Sequence, residues 1–264
     1  MGGTQWYESV QAPEALAGFV ACLWTAAPSG VHRLIPDACV DLVCLSNGQL
    51  VLCGPELHSW TFQLPANMLG VGARFLPGVL NATFGVDMAT ICNRRVPAAE
   101  VFGEGHATQI VRNVEQQLAD GNLAPACEAL GDVLASFGLR SDRTVTVLGA
   151  LTSASPSIRV SDLAATLAMS ERQLRRLCNR LIGYGPSTFT RIVRFHRFAD
   201  LVVANPHWTI ASLSAAAGYH DQSHLVRDCQ SIARCSPTAF LRDWFPTFPD
   251  RTGLLEALSH QARA

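Results

Sequence analysis

The first hundred residues consist of short apolar runs that are separated by Gly, Pro, Asn and Asp. Runs of this length between turn-forming residues are typical of β-strands. The clearest are Phe19–Trp24, Val40–Leu45, Leu50–Cys53, Trp60–Leu64 and Leu69–Phe75. Asn47-Gly48 lies between two of these runs and predicts a hairpin with a type I′ turn, because both residues tolerate positive φ. The pattern predicts a β-barrel or β-sandwich over residues 1–105.

From about residue 106 the apolar positions recur at helical spacing instead. Ile110, Val114 and Leu118 mark one helix, Leu130 and Leu134 mark the next, and a Gly-Asn pair separates them. We predict a helical linker or dimerisation segment over 106–139, whose apolar stripes either pack on the β-rich domain or pair with a second chain. Short helices then continue through 140–245, and the tail at 246–264 is assigned no role.

Two stretches in the C-terminal half repeat one another. Six residues recur 51 positions later: Leu174, Arg176, Cys178, Pro186, Phe189 and Arg191 recur as Leu225, Arg227, Cys229, Pro237, Phe240 and Arg242. Upstream, Leu163 and Ala168 recur 50 positions later as Leu213 and Gly218. A duplicated unit with arginines at matched places indicates a protein that makes the same contact twice. Double-stranded DNA, which repeats its groove every helical turn, is the expected partner.

Each copy predicts a helix with one apolar face and one polar face. In the first copy, Ser170 and Gln173 form a capping-box pattern at the helix start. Its apolar stripe consists of Leu174, Leu177, Cys178 and Leu181, and its second face carries Arg172, Arg175 and Arg176. In the second copy, Asp221 is the predicted cap. Its stripe consists of Leu225, Cys229 and Ile232, and its outer side carries Ser223, Val226, Arg227 and Gln230.

A single helix is predicted between the two copies, from Pro186 to about Val203. At about 1.5 Å per residue it spans roughly 27 Å. Successive major-groove faces of DNA lie about 34 Å apart. Such a spacer would let two recognition helices enter adjacent major grooves on one side of the duplex.

The charge distribution divides the chain in the same way. Residues 1–139 contain twelve acidic residues and five arginines, whereas residues 140–245 contain seven acidic residues and thirteen arginines. The net charge of −1 therefore conceals an acidic half and a basic half. A basic C-terminal half suits contact with nucleic acid.

On these motifs, residues 155–244 resemble the DNA-binding domain of AraC/XylS-family transcription regulators. The second copy, Gly218-Tyr219-His220-Asp221-Gln222-Ser223-His224-Leu225-Val226-Arg227, is close to the family signature. The resemblance implies a double helix-turn-helix fold and base-contacting side chains at Arg172, Arg175, Arg176, Gln222, Ser223, Val226 and Arg227. The chain departs from the family at Cys178 and Cys229, where phenylalanine is usual, and at Arg234, where glycine is usual.

The N-terminal half resembles the β-rich, cupin-like domains of one AraC-family subgroup over roughly residues 5–105. Pro36–Leu42 and Gly70–Gly78 carry this resemblance. Such domains are thought to sense a ligand or a partner. Asp37, Asp41 and Arg74 are therefore candidates for holding a small polar effector, and a structural ion pair that fastens the barrel is the alternative. Gly70-x-Gly72 lacks the further glycine and the helix of a nucleotide site, so a turn between strands is expected there.

Enzymatic and metal chemistry find little support in the sequence. No HExxH, GxSxG or P-loop motif is present, and the cysteines and histidines lack the spacing of a zinc site. Nine cysteines without CxxC spacing suit free thiols in a reducing compartment. Cys39 lacks the surroundings of the sacrificial cysteine that some family relatives use in DNA repair.

We therefore predict an α+β, two-domain protein with an N-terminal β-barrel or sandwich followed by helices and a C-terminal all-α double helix-turn-helix domain. Its expected function is that of a cytoplasmic, bacterial-type one-component transcription regulator, without a catalytic site, cofactor, metal or membrane segment. RNA polymerase, a second copy of the chain and an unknown small-molecule effector are the further candidate partners. A DNA-binding regulator controlled by a partner protein is the alternative, and a metal-dependent or cysteine-based enzyme or repair protein is the weaker one.

Overall fold

The computed structural model describes residues 6–27, 31–63, 65, 67–155 and 157–243. Some residues to which a prediction was assigned lie outside these ranges, namely Leu64, Trp244, Phe245 and the tail at 246–264. The strands are β1 (Tyr7–Gln11), β2 (Val20–Ala26), β3 (Val31–Leu34), β4 (Val40–Leu45), β5 (Leu50–Cys53), β6 (Trp60–Gln63), β7 (Gly70–Phe75) and β8 (Arg95–Pro97).

Helices follow and partly interrupt these strands. In the N-terminal half they are α1 (Val79–Phe84), α2 (Ala99–Phe102), α3 (Glu104–Ala119) and α4 (Leu123–Ala135). In the C-terminal half they are α5 (Arg143–Ala154), α6 (Val160–Thr166), α7 (Glu171–Ile182), α8 (Pro186–Ala204), α9 (Ile210–Ala216), α10 (Gln222–Asp228) and α11 (Pro237–Asp243). The α+β architecture with an all-helical C-terminal region is confirmed.

The N-terminal domain is an antiparallel sheet with helices on one face. Its strand order is β1-β2-β7-β4-β5-β8, and β3 and β6 form a separate two-stranded sheet. The five runs identified in the sequence all form strands, β2, β4, β5, β6 and β7. Strands β1, β3 and β8 were not predicted, and neither were the short helices α1 and α2.

The apolar stripes of α3 and α4 are covered within the chain. Ile110, Val114 and Leu118 of α3 and Leu130 and Leu134 of α4 are all at most 1% exposed. They share one apolar core with the inward side chains of β4 and β7. Of the two partners that the sequence left open, the sheet is therefore the one that covers these stripes.

The hairpin between β4 and β5 forms as predicted, but its turn type differs. Gly48 has a φ of +81°, and Asn47 is not among the residues with positive φ. Gly48 donates its backbone N–H to Leu45, and Asn47 accepts from the backbone of Gln49 through its side chain. A type I turn followed by a left-handed glycine fits these bonds, so the expected type I′ turn is wrong. The side chain of Asn47 stabilises a conformation that does not require positive φ at its own position.

Gly70 and Gly72 lie inside strand β7, so the expected turn at this pair is also wrong. The indole of Trp24, on the neighbouring strand β2, lies directly over Gly72, and a Cβ there would overlap the indole. The glycine therefore provides space for a long-range aromatic contact, which the local sequence pattern does not reveal.

The C-terminal domain is built around α8. Its residues Phe189, Ile192, Phe195, Phe198 and Val202 are at most 4% exposed. Helices α5 to α7 and α9 to α11 contribute to the same apolar core. Within the described part of the chain, no helix is long and apolar enough to cross a membrane.

Substitution of Gly72 by alanine tests the close approach of Trp24. Gly72→Ala is expected to lower the free energy of unfolding by about 1–3 kcal/mol, because the added methyl overlaps both the buried Trp24 indole and the backbone carbonyl of Leu42. Gly105→Ala in α3 is the matched control, since a Cβ there meets nothing within 4 Å. It should leave stability unchanged or raise it by up to about 1 kcal/mol through helix propensity. Urea unfolding of both variants measures the difference, and equal stabilities would contradict the packing described.

Candidate nucleic-acid interface

Each repeat forms a helix, a turn and a second helix with the same backbone geometry. Ala168 and Gly218 occupy the turns with φ values of +53° and +89°. One residue later, Met169 donates its N–H to the carbonyl of Ala164 at 2.9 Å, and Tyr219 donates to that of Ser214 at 3.0 Å. These are the bonds of a helix end that turns through a left-handed residue. The repeat in sequence is therefore a repeat in backbone conformation.

The second helix of the first repeat, α7, begins with the predicted capping box. Ser170 accepts from the backbone N–H of Gln173, and the Gln173 side chain accepts from the backbone N–H of Ser170 at 2.8 Å. On the side away from the core, Arg172, Arg175 and Arg176 are all exposed. No carboxylate in the described ranges forms a salt bridge with any of these three arginines. The helix thus presents three guanidinium groups to solvent.

The second helix of the second repeat, α10, is capped by Asp221, as predicted. Its carboxylate accepts from the backbone N–H of His224 at 2.7 Å, and this bond lowers the pKa of Asp221. Gln222, Ser223 and Arg227 are exposed, and Val226 is half-buried beside them. The polar face therefore runs along the whole of this short helix, from Gln222 at its start to Arg227 in its last turn.

The three departures from the family pattern are accommodated locally. Cys178 and Cys229 are buried in the core around α8, where burial raises the pKa of each thiol to about 12. Arg234 adopts a φ of +58° at the place where the first repeat has Gly183, with a φ of +96°. An arginine therefore takes the left-handed conformation that glycine adopts more readily.

Asp37, Asp41 and Arg74 come together on the sheet. The Arg74 Nε lies 3.1 Å from Asp37 Oδ2 and 3.1 Å from Asp41 Oδ1. The Trp24 indole N–H also donates to Asp41, and the backbone N–H of Cys39 donates to Asp37. The three charged side chains are 16–19% exposed. Each carboxylate already has a partner within the chain, which favours the structural ion pair over direct effector binding.

The thiol of Cys39 shows no sign of chemical activation. Burial raises the pKa of the Cys39 thiol well above its usual range, and Asp37 raises it further. A thiol that stays protonated is a poor nucleophile and a poor metal ligand. In the described ranges, no group of three or more His, Cys, Asp or Glu side chains is arranged to hold a metal ion.

Two contacts of helix α8, one with α10 and one with the N-terminal domain, were not predicted from the sequence. Asp228 of α10 binds Arg191 and Arg194 of α8. The N-terminal domain touches the helical domain through Pro36, whose carbonyl accepts from His196 Nε2 at 2.7 Å. One sequence signal for the first contact was available, because the acidic Asp228 stands where the first repeat has Leu177. The second contact joins residues 160 positions apart and has no such signal.

Two segments of the chain match models of known protein families. Residues 163–243 match the model of a helix-turn-helix domain, and residues 8–97 match a domain of unknown function. No curated protein matches the chain significantly. All the side chains that are predicted to contact DNA lie within 163–243.

Solved structures of ToxT from Vibrio cholerae are similar in outline. One has a TM-score of 0.46 at 8% identity, over 90% of this chain and 98% of that one. An apo form of a ToxT variant has a TM-score of 0.46 at 12% identity, over 86% and 97%. A ToxT structure with a bound unsaturated fatty acid has a TM-score of 0.40 at 11% identity, over 83% and 93%. At sequence identities this low, the ligand bound by ToxT is not assigned to this chain.

The two turns provide a matched pair of substitutions. Ala168→Gly should raise the free energy of unfolding by about 1 kcal/mol or less, because glycine adopts positive φ without a Cβ clash. Gly218→Ala should lower it by about 1–2 kcal/mol for the same reason. Urea unfolding of the full chain measures both. Shifts in the same direction would show that the two turns do not share one conformation.

Proposed function

We propose that the chain is a DNA-binding transcription regulator of the AraC type and that α7 and α10 enter adjacent major grooves of one duplex. The match of residues 163–243 to a helix-turn-helix domain supports this proposal. Helix α8 has 19 residues and is about 28 Å long. This length is close to the roughly 34 Å between successive major-groove faces. The observation that carries the proposal is the repeated helix-turn-helix geometry with exposed polar side chains at matched places.

The exposed side chains have the chemistry that base edges require. A guanidinium group can donate two hydrogen bonds to O6 and N7 of guanine, and a glutamine amide can pair with N6 and N7 of adenine. Arg172, Arg175 and Arg176 of α7 and Arg227 of α10 are our candidates for guanine or phosphate contacts. Gln222 and Ser223 are candidates for hydrogen bonds to bases, and Val226 for contact with a thymine methyl group.

For the N-terminal domain we propose a regulatory role that is exerted through its contact with the helical domain. Ala38 is 2% exposed and, with Cys39, belongs to the apolar core that surrounds α8. The backbone N–H of Ser59 donates to the carbonyl of Ile232 at 2.6 Å, at the end of the second motif. Gly183, at the end of α7, lies against Pro55. The same domain thus touches both helix-turn-helix motifs.

The cluster of Asp37, Asp41 and Arg74 supports this contact from inside the sheet. Asp37 binds the backbone of Cys39 and the guanidinium group of Arg74, so it fixes the conformation of the Pro36–Cys39 segment. That segment is the one that inserts into the helical core. A small polar effector that competes for Arg74 or Asp37 would therefore shift Pro36–Cys39 and change how the motifs are held.

Control by a partner protein is the second candidate function, because the same domain contact would transmit a protein signal equally well. A screen of small polar compounds by thermal shift separates the two. An effector raises the melting temperature of the full chain and changes its affinity for DNA at the same concentration. If a partner protein is the regulator instead, no compound in the screen shifts the melting temperature, and addition of the partner changes the affinity for DNA.

Loss of one arginine from each motif tests the DNA surface. Arg176→Ala and Arg227→Ala should each weaken binding to the preferred DNA site by about 1–3 kcal/mol if the side chains read bases. The preferred site is first selected from a randomised duplex pool with the unmodified chain. Arg112→Ala on the exposed side of α3 is the control and should leave the affinity unchanged. Fluorescence anisotropy at several salt concentrations gives both the affinity and the salt slope.

The two kinds of contact give different outcomes in that experiment. Loss of a base contact relaxes the preference at positions about one helical turn apart, whereas loss of a phosphate contact weakens all DNA binding and lowers the salt slope. An unchanged affinity in both variants would contradict the assignment of these helix faces.

Ala38 provides the test of the domain contact. Ala38→Asp places a carboxylate among apolar side chains, which costs several kcal/mol unless the group is paired or reaches water. The two domains should then separate and melt in two transitions instead of one, while DNA binding persists. Ala38→Gly is the control, because it fits the φ of +66° and adds no charge. A single transition at an unchanged temperature in the Asp variant would argue against coupling through this segment.

A further inference from the structure

The second recognition helix is joined to α8 by a buried ionic network. Asp228, the last residue of α10, is 1% exposed. Arg191 Nε donates to its Oδ1 at 2.8 Å, and Arg194 Nη2 donates to its Oδ2 at 3.0 Å. Both carboxylate oxygens are therefore held by guanidinium groups that stand one turn apart on α8.

The network extends to the DNA-facing end of α10. Arg194 Nη2 also donates to His224 Nε2 at 3.0 Å, and its guanidinium carbon lies 4.9 Å from the centre of the Tyr219 ring. Arginine has no acceptor, so Nε2 of His224 carries the lone pair and the ring is neutral. Burial and the nearby Arg194 lower the pKa of His224, in agreement with a neutral ring. His224 follows Ser223, one of the candidate base-contacting residues.

The first motif has no equivalent of this network. The 51-residue spacing places Leu177 at the position of Asp228 and Gln173 at that of His224. Leu177 packs against the apolar core, and Gln173 belongs to the capping box. Helix α7 is thus held by non-directional apolar contacts. Helix α10, whose Leu225 is buried in the same core, is held in addition by charge-assisted hydrogen bonds of fixed direction.

A buried carboxylate is an unfavourable choice if stability alone matters. Replacement of a buried ion pair by apolar side chains is often neutral or stabilising, and buried ionic groups are better attested as devices that specify one geometry. An apolar contact tolerates small sliding and rotation, but two bonds of 2.8–3.0 Å to one carboxylate fix both the angle and the register of α10 on α8. These bonds therefore fix the distance and the rotation between the two recognition helices.

We propose that Asp228 is a positioning residue that sets the spacing and rotation of the second recognition helix relative to the first, so that the protein selects DNA by the distance between two half-sites. The inference rests on the proposed entry of α7 and α10 into adjacent grooves. Insertion of one base pair between half-sites rotates the second by roughly 35° and moves it by about 3.4 Å. A rigidly held α10 cannot follow that change.

The full chain first selects its preferred duplex from a randomised pool. That duplex is then synthesised again with one or two base pairs inserted or deleted between the half-sites. Asp228→Leu copies the first motif, Asp228→Asn keeps the shape, and Arg191→Gln removes the more exposed partner, whose side chain is 35% exposed. Arg227→Ala is the matched control, because it removes a candidate DNA contact on the same helix without touching the network. Thermal unfolding identifies the variants that fold.

The unmodified chain and Arg227→Ala should lose affinity steeply with each change of spacing, by about tenfold or more for one base pair. Asp228→Leu should bind the original site less tightly but lose only a few-fold when the spacing changes, and Arg191→Gln should fall between. If Asp228→Leu and Asp228→Asn fail to fold, Arg191→Gln and its spacing series decide. A loss by the same factor at every spacing indicates a merely structural role and overturns the proposal.

The site that the unmodified chain selects separates failure of the proposed DNA-binding mode from failure of the proposed role of Asp228. Selection of a single undivided site would overturn the proposed use of adjacent grooves, and the positioning role with it. Selection of two half-sites with an unchanged spacing preference in all Asp228 and Arg191 variants would leave the DNA-binding proposal intact and refute only the role of Asp228.

Discussion

The burial of α8 is the constraint on which the helical domain depends. Phe189, Phe195 and Phe198 lie at its core-facing side with no exposed surface, and both motifs pack against them. Burial of apolar area draws the two motifs to one helix but does not by itself fix their angles. The angle of the second motif on α8 is fixed by the hydrogen-bonded ion pairs between α8 and Asp228. Apolar packing and buried charge thus have separate tasks in the same domain.

A similar division holds in the N-terminal domain. The face of the sheet under α3 and α4 is apolar, whereas the other face carries Trp24 and the cluster of Asp37, Asp41 and Arg74. Burial raises the pKa of Asp41, and the Arg74 guanidinium group opposes that rise. The cluster is therefore held together by Arg74, and it orders the segment that reaches α8. In our proposal this segment connects regulation to DNA binding.

Local periodicity was sufficient to predict most of the helical domain. The capping box at Ser170, the long α8 and the exposed arginines all follow from spacing within one element. Strands β1, β3 and β8 were missed because polar side chains interrupt their apolar positions. The conformation of Gly72 depends on Trp24, and the pairing of Asp228 depends on Arg191, 37 positions away. Contacts between distant segments leave no periodic signal in one sequence, which is why the site's supporting residues required a structure.

The central claim is that one chain presents two recognition helices to two successive major grooves on the same face of DNA. A hydroxyl-radical footprint of the full chain on its selected duplex measures this directly. Two protected patches are expected on each strand, about 10 base pairs apart, with an accessible stretch between them. A single protected patch, or two patches about half a helical turn out of phase, would contradict it.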